Sequence, residues 1–154
     1  MKSRKNNMKK QKGSMLLEGL IGILIFSLGV LALVGLQSVA VKNVTQARYR
    51  SVAAQLADNL IAQMWIDRQA NLATDYVTGG ARYNTWKNNI ANNSNPNTSL
   101  PGVTTSPNPD RNLPTVSVVS DATTSSVRAT ITVFWQLPGE ATPHQYVTVA
   151  QIGK

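Results

Sequence analysis

The stretch Lys12-Gly13-Ser14-Met15-Leu16-Leu17-Glu18 sets a bare backbone site five residues ahead of a carboxylate. A glycine leaves the peptide bond that follows it open to a protease, because no side chain shields it. Glu18 stands at the entrance to residues 19–41, which hold no charged residue. A carboxylate drawn into lipid costs roughly 2.5–3.5 kcal/mol, so its place there needs a reason. The remaining acids are Asp58, Asp67, Asp75, Asp110, Asp121 and Glu140. None forms a close sequence pair suited to acid–base work. Asp67-Arg68 reads as a solvated or locally capping pair. Asp75 and Asp110 sit in turn-like settings that lack a calcium-loop signature. His144 is the single histidine and reads as a strand-end surface residue beside Pro143. With no cysteine, neither a disulfide nor a thiolate metal site is available. The expectation is a non-enzyme, with no catalytic residue, no metal site and no cofactor.

Charge separates the first residues from the rest. Of 15 basic residues, six (Lys2, Arg4, Lys5, Lys9, Lys10 and Lys12) precede Gly13, without an acid among them. The remaining nine basic residues face seven acids, so the body is nearly neutral. The basicity is therefore a terminal tag and a topology signal, which argues against a nucleic-acid partner.

Residues 19–41 form an apolar run interrupted only by Ser27, Gln37 and Ser38. As a helix its 23 residues span about 34 Å, enough to cross a hydrocarbon core of about 30 Å. Gly19, Gly22, Gly29 and Gly35 are tolerated in such a helix and permit close approach of a neighbour. The positive-inside rule places the N-terminus in the cytoplasm and the chain beyond Val41 across the membrane, in the periplasm of a bacterium. The expected location is a single-pass inner-membrane protein.

Helical patterning continues past the run. Val52, Leu56, Leu60 and Met64 recur every four residues, flanked by Ala53, Ala57, Ile61 and Trp65, which is an amphipathic stripe. No Pro or Gly lies between Gly35 and Gly79, so one helix is expected from about Met15 to Ala73. Residues 14–41 form its membrane half and 42–73 its amphipathic half. A small globular domain, 74–154, follows. Tyr83–Ile90 fits a short helix, and residues 92–114, with five of the seven prolines, read as a long surface loop. Asn43, Asn92 and Asn97 head N-x-S/T triplets of a kind that chance supplies.

The last third alternates as strands do. Val116–Ser120, Val127–Trp135 and Tyr146–Ile152 are expected to form an antiparallel meander. Val127, Ala129, Ile131, Val133 and Trp135 share its inner face, and Phe134 falls on the otherwise polar face. Such a sheet needs a cover, and the stripe from Val52 to Trp65 supplies one. Trp65 and Trp135 are thus expected in the core, with Trp86 as an exposed contact. The fold class is α+β, a long N-terminal helix packed on a small antiparallel sheet.

The first thirteen residues do not fit an ordinary secretory signal, whose small-residue cleavage site follows its apolar region. Basic leader, Gly13, short apolar stretch, Glu18 and long apolar helix together resemble the class III signal of type IV pilins and type II secretion pseudopilins. Residues 16–37 (LLEGLIGILIFSLGVLALVGLQ) and the pattern Ala53-x-x-Leu56-Ala57-x-x-Leu60-Ile61-x-Gln63-Met64-Trp65 look like the minor pilins of the type IV pilus modification group, PilV. The specific likeness covers about residues 12–68.

That resemblance implies a type IV pilin-like fold and removal of leader 1–13 by prepilin peptidase, which cleaves between Gly13 and Ser14 and N-methylates Ser14. It also implies partners: other minor pilins, the major pilin and the inner-membrane assembly platform. Ser14 stands where Phe or Met is commoner, and the absent cysteines depart from the C-terminal disulfide of many major pilins. Glu18 would meet the new amino terminus of a neighbouring subunit and set register. Two alternatives are a type II secretion minor pseudopilin of the GspI kind and a bitopic inner-membrane protein displaying a binding domain.

Overall fold

The computed structural model describes residues 12–91, 95, 98–105, 109–121 and 126–153. The basic N-terminal segment up to residue 11 and the triplets at Asn92 and Asn97 lie outside the described residues in whole or in part. The chain divides into two compact units, Met1–Val44 and Thr45–Lys154. Helix α1, Lys12–Ile66, contributes to both.

In the first unit every side chain from Ser14 to Val44 is exposed. Leu16, Leu17, Ile25 and Phe26 are all more than 60% exposed and lie about a quarter-turn apart, so the exposure runs round the helix. A helix apolar all round belongs in lipid or among other helices, since water offers it no partner. By length and composition α1 is long and apolar enough to cross a membrane. The one hydroxyl within the run's first half is satisfied locally: Ser27 Oγ donates to the Ile23 carbonyl at 2.7 Å.

The second unit has its own core. Ala53, Leu56, Ala57, Leu60 and Met64 are buried along one stripe of α1. They meet the inner face of a three-stranded antiparallel sheet in the order β1-β2-β3. Strand β1 is Thr115–Asp121, β2 is Ser126–Trp135 and β3 is His144–Gly153. Val127, Ala129, Ile131, Val133 and Trp135 all point inward, as their alternation requires. The β2–β3 register runs unbroken from Ser126↔Gly153 to Trp135↔His144. The α+β layout and the meander thus follow the periodicities.

Three expectations change. First, α1 ends at Ile66, and a separate helix α2 occupies Gln69–Asp75, so there is no single helix to Ala73. The break is at Arg68, whose backbone is extended (φ −71°, ψ 137°). The Asp67 carboxylate stabilises it by accepting from the Arg68 amide at 2.7 Å and from Asn71 Nδ2 at 3.0 Å. An aspartate that can bond nearby backbone competes with helix continuation. Second, Trp65 is 48% exposed and Trp86 only 6%, the reverse of expectation. Trp86 lies on α3, Ala81–Ala91, with Tyr83 and Ile90 on the same buried face. Its Nε1 donates to the Leu56 carbonyl at 3.0 Å.

Third, the 92–114 segment is more than a surface loop where it is described. Leu100, Val103 and Pro114 are fully buried. Thr104 and Arg111 pair as an isolated antiparallel bridge. Gln136 N donates to the Pro101 carbonyl at 2.8 Å, drawing the loop against the end of β2. Gly102 adopts φ +74°, and a Cβ there would lie 2.8 Å from the Gln136 carbonyl oxygen, so both conformation and space require glycine. At the other side of the sheet Thr78 caps β1: its amide donates to the Val116 carbonyl, and Val116 N donates to Thr78 Oγ1 at 2.8 Å.

Candidate functional site

The residues singled out near the N-terminus all fall on α1. The described chain is helical from Lys12 on, so the Gly13–Ser14 peptide bond lies in a helical turn. Proteases bind extended backbone, and cleavage there requires this turn to unwind. Glu18 is exposed. Ser14, Glu18 and Gly22 are four residues apart and Gly29 seven further on, which puts all four on one side of the helix. A Cβ at Gly22 or Gly29 would meet nothing within 4 Å, so this side is open along its length. In the uncut helix Glu18 sits beyond the first turn, where the helix dipole has faded. A helix starting at Ser14 would place it about one turn from the terminus.

In the domain a polar cluster ties α1 to the β2–β3 connection. Trp135 Nε1 donates to Gln46 Oε1 at 3.0 Å. Gln46 Nε2 donates to Glu140 Oε1 at 2.8 Å and stands 2.7 Å from His144 Nε2. His144 Nε2 is in turn 3.0 Å from Glu140 Oε2. The imidazole stacks on the Trp135 indole, with centroids 5.7 Å apart and planes at 21°. Burial alone would push the Glu140 carboxyl upward. The Leu137 amide, then His144 and Gln46, outweigh it and hold the group below its ordinary value. Beside the cluster lies an open cleft of about 360 Å³ lined by Gln46, Ala47, Arg50, Trp135, His144 and Gln145.

A second cluster surrounds Asp67. Tyr76 donates to its Oδ2 at 3.0 Å, and an Arg82 guanidinium nitrogen lies 3.5 Å away. The Arg68 amide, followed by Asn71 and Tyr76, holds the Asp67 carboxyl below its ordinary value. Burial, with the Asp67 anion second, pushes the Tyr76 hydroxyl upward. The Asp67 carboxylate thus bonds the Arg68 amide locally without capping α2, and its ion partner further along the chain is Arg82 from α3.

Sequence reasoning missed Gln46 and Glu140, which are 94 positions apart. No local pattern could have joined them. It also missed the Tyr83–Trp86–Ile90 face, although the spacing of three and then four is helical and was available to read. Among the described residues no group of three or more His, Asp or Glu side chains is placed to hold a metal ion. No family model matches the chain, and it matches neither a curated protein nor a solved structure.

Proposed function

We propose that the chain is a minor pilin: a membrane-inserted subunit, processed by prepilin peptidase, that assembles with other pilins to initiate or modify type IV pili. The carrying observation is the junction of Gly13-Ser14 and Glu18 with a helix exposed to Val44 and apolar on all sides to Val41, followed by a domain with its own core. An exposed apolar helix can be accommodated twice, first in lipid and then against other helices. A subunit extracted from a bilayer into a fibre must make that exchange. Glycines at 22 and 29 on the Glu18 side let a neighbouring helix approach there.

On this reading Glu18 stays near the headgroups before assembly and then enters an apolar core. A carboxylate there needs a cation, and the new amino terminus of a neighbour supplies it. Such a pair at 4 Å is worth about 4 kcal/mol at an effective dielectric near 20, before desolvation is subtracted. Its larger effect is on register, because a misplaced subunit leaves a buried charge alone. The domain, carrying no catalytic constellation in its sequence, serves lateral contacts.

The test is the N-terminal mass of the protein from cells with and without prepilin peptidase. A peptidase-dependent start at Ser14 is expected. Residue 1 retained in both strains would overturn the reading and leave a plain membrane anchor.

A further inference from the structure

We propose that Gln46, Glu140 and His144 form a proton-operated latch between α1 and the first residue of β3. The inference concerns the domain alone and stands apart from the pilin reading. Its basis is a conflict in hydrogen-bond roles at one nitrogen. The Trp135 indole N–H can only donate, so its contact fixes Gln46 Oε1 toward Trp135 and turns the Gln46 NH2 toward Glu140 and His144. His144 Nε2 then lies 2.7 Å from an obligate donor and 3.0 Å from a carboxylate oxygen.

A ring nitrogen either carries a proton or offers a lone pair, never both. When unprotonated, Nε2 accepts from Gln46 and faces the lone pairs of Glu140. When protonated, it donates to Glu140 and confronts the Gln46 N–H. One proton therefore decides which side of the triangle holds. The neutral ring, with its proton on Nδ1, keeps the link to α1. The imidazolium shifts to Glu140 Oε2 in a charge-assisted bond and releases the Gln46 N–H it held, while Gln46 stays bonded to Glu140 Oε1.

The charged groups facing the ring are Glu140 from the connection, which favours the imidazolium, and Arg50 from α1 across the cleft, which opposes it. Strand β2 contributes Trp135, and β3 itself contributes Gln145; neither is charged. The stack on Trp135 holds the ring plane while its partner changes, and an indole face also suits a cation. In the protonated state one Gln46 N–H turns free into the cleft beside Arg50, giving it a second donor.

The full chain in detergent micelles, labelled with 15N at histidine and at glutamine side chains and carrying no histidine tag, allows a direct test. His144 is the sole histidine, so its ring spectrum is unambiguous. Spectra are recorded from about pH 8 to about pH 5, the window in which imidazole charge changes. At the upper end Nε2 is expected as an unprotonated nitrogen. On acidification Gln46 amide signals should move in step with the ring. Gln46→Ala should raise the protonated share of the ring at a given pH, and Glu140→Gln should lower it. A neutral ring protonated at Nε2, or Gln46 signals indifferent to ring protonation, would overturn the latch. So would variants that shift the ring in the same direction. The tautomer is decided on the unaltered protein, so a variant that fails to fold does not remove the test.

Discussion

Replacing Trp86 with alanine removes a ring that fills the space between α3 and α1 and a bond from its Nε1 to the Leu56 carbonyl. Truncating a buried tryptophan costs about 3–5 kcal/mol. Trp65 is half-exposed, and its truncation is expected to change stability by no more than about 0.5 kcal/mol. Thermal unfolding of the full chain in detergent, followed by near-UV dichroism, compares the two variants directly. Equal destabilisation would place Trp65 in the core after all. The reason Trp65 misleads lies in helical arithmetic. Steps of four advance a helix by about 400°, so each drifts about 40° from the last, and Trp65 is three steps beyond Ala53. It has swung about 120° away from the buried stripe, which Met64 still occupies. An apolar residue in a fourfold repeat is core only while the drift keeps it facing the sheet.

The break between α1 and α2 belongs to the scale of elements. Nothing in the sequence forbids helix through residues 67–68, since neither is Gly or Pro. What ends the helix is a carboxylate with several donors: Arg68 N, Asn71 and Tyr76, and the Arg82 guanidinium nearby. Tyr76 and Arg82 come from further along the chain, so this signal was only half legible beforehand. The strands were legible because alternation is local, and β2 buries every second residue as written. The Asp67 turn also has a pH signature. Its folded carboxyl titrates below the ordinary 3.8, so the unfolded chain takes up the proton first. The turn's contribution is therefore complete above about pH 3.8 and disappears as pH falls through the lower, folded value. Asp67→Asn should be less stable than the parent at about pH 7, and the two should converge on acidification below about pH 3.8. Parallel stability curves with no convergence would show that the charge on Asp67 does not hold the turn.

At the scale of the whole molecule, the two units differ in burial: the first is an exposed apolar helix and the second has its own core. The sequence announces the first through an apolar run behind a cluster of basic residues. It announces less clearly where the second begins, because the helix passes the junction without interruption. Burial marks the change: every side chain from Ser14 to Val44 is exposed, and the first fully buried side chain is Ala53. Among the described residues, no core residue of the domain is drawn from the first unit. A chain limited to residues 45–154 should therefore keep its sheet, α2, α3, the remaining part of α1 and its buried tryptophans. Its expected behaviour is a cooperative thermal transition without detergent, within about 4–8 °C of the domain transition in the full chain, the shift that corresponds to about 1 kcal/mol at this size. The full chain should instead require detergent or lipid, because its exposed apolar helix has no partner in water. If the shortened chain unfolds without cooperativity, the apolar half supplies more than an anchor. A native-like transition would mean that the helix from Ser14 to Val44 is free to change its surroundings without unfolding the domain. That independence is what transfer from a bilayer to a helix-packed fibre demands.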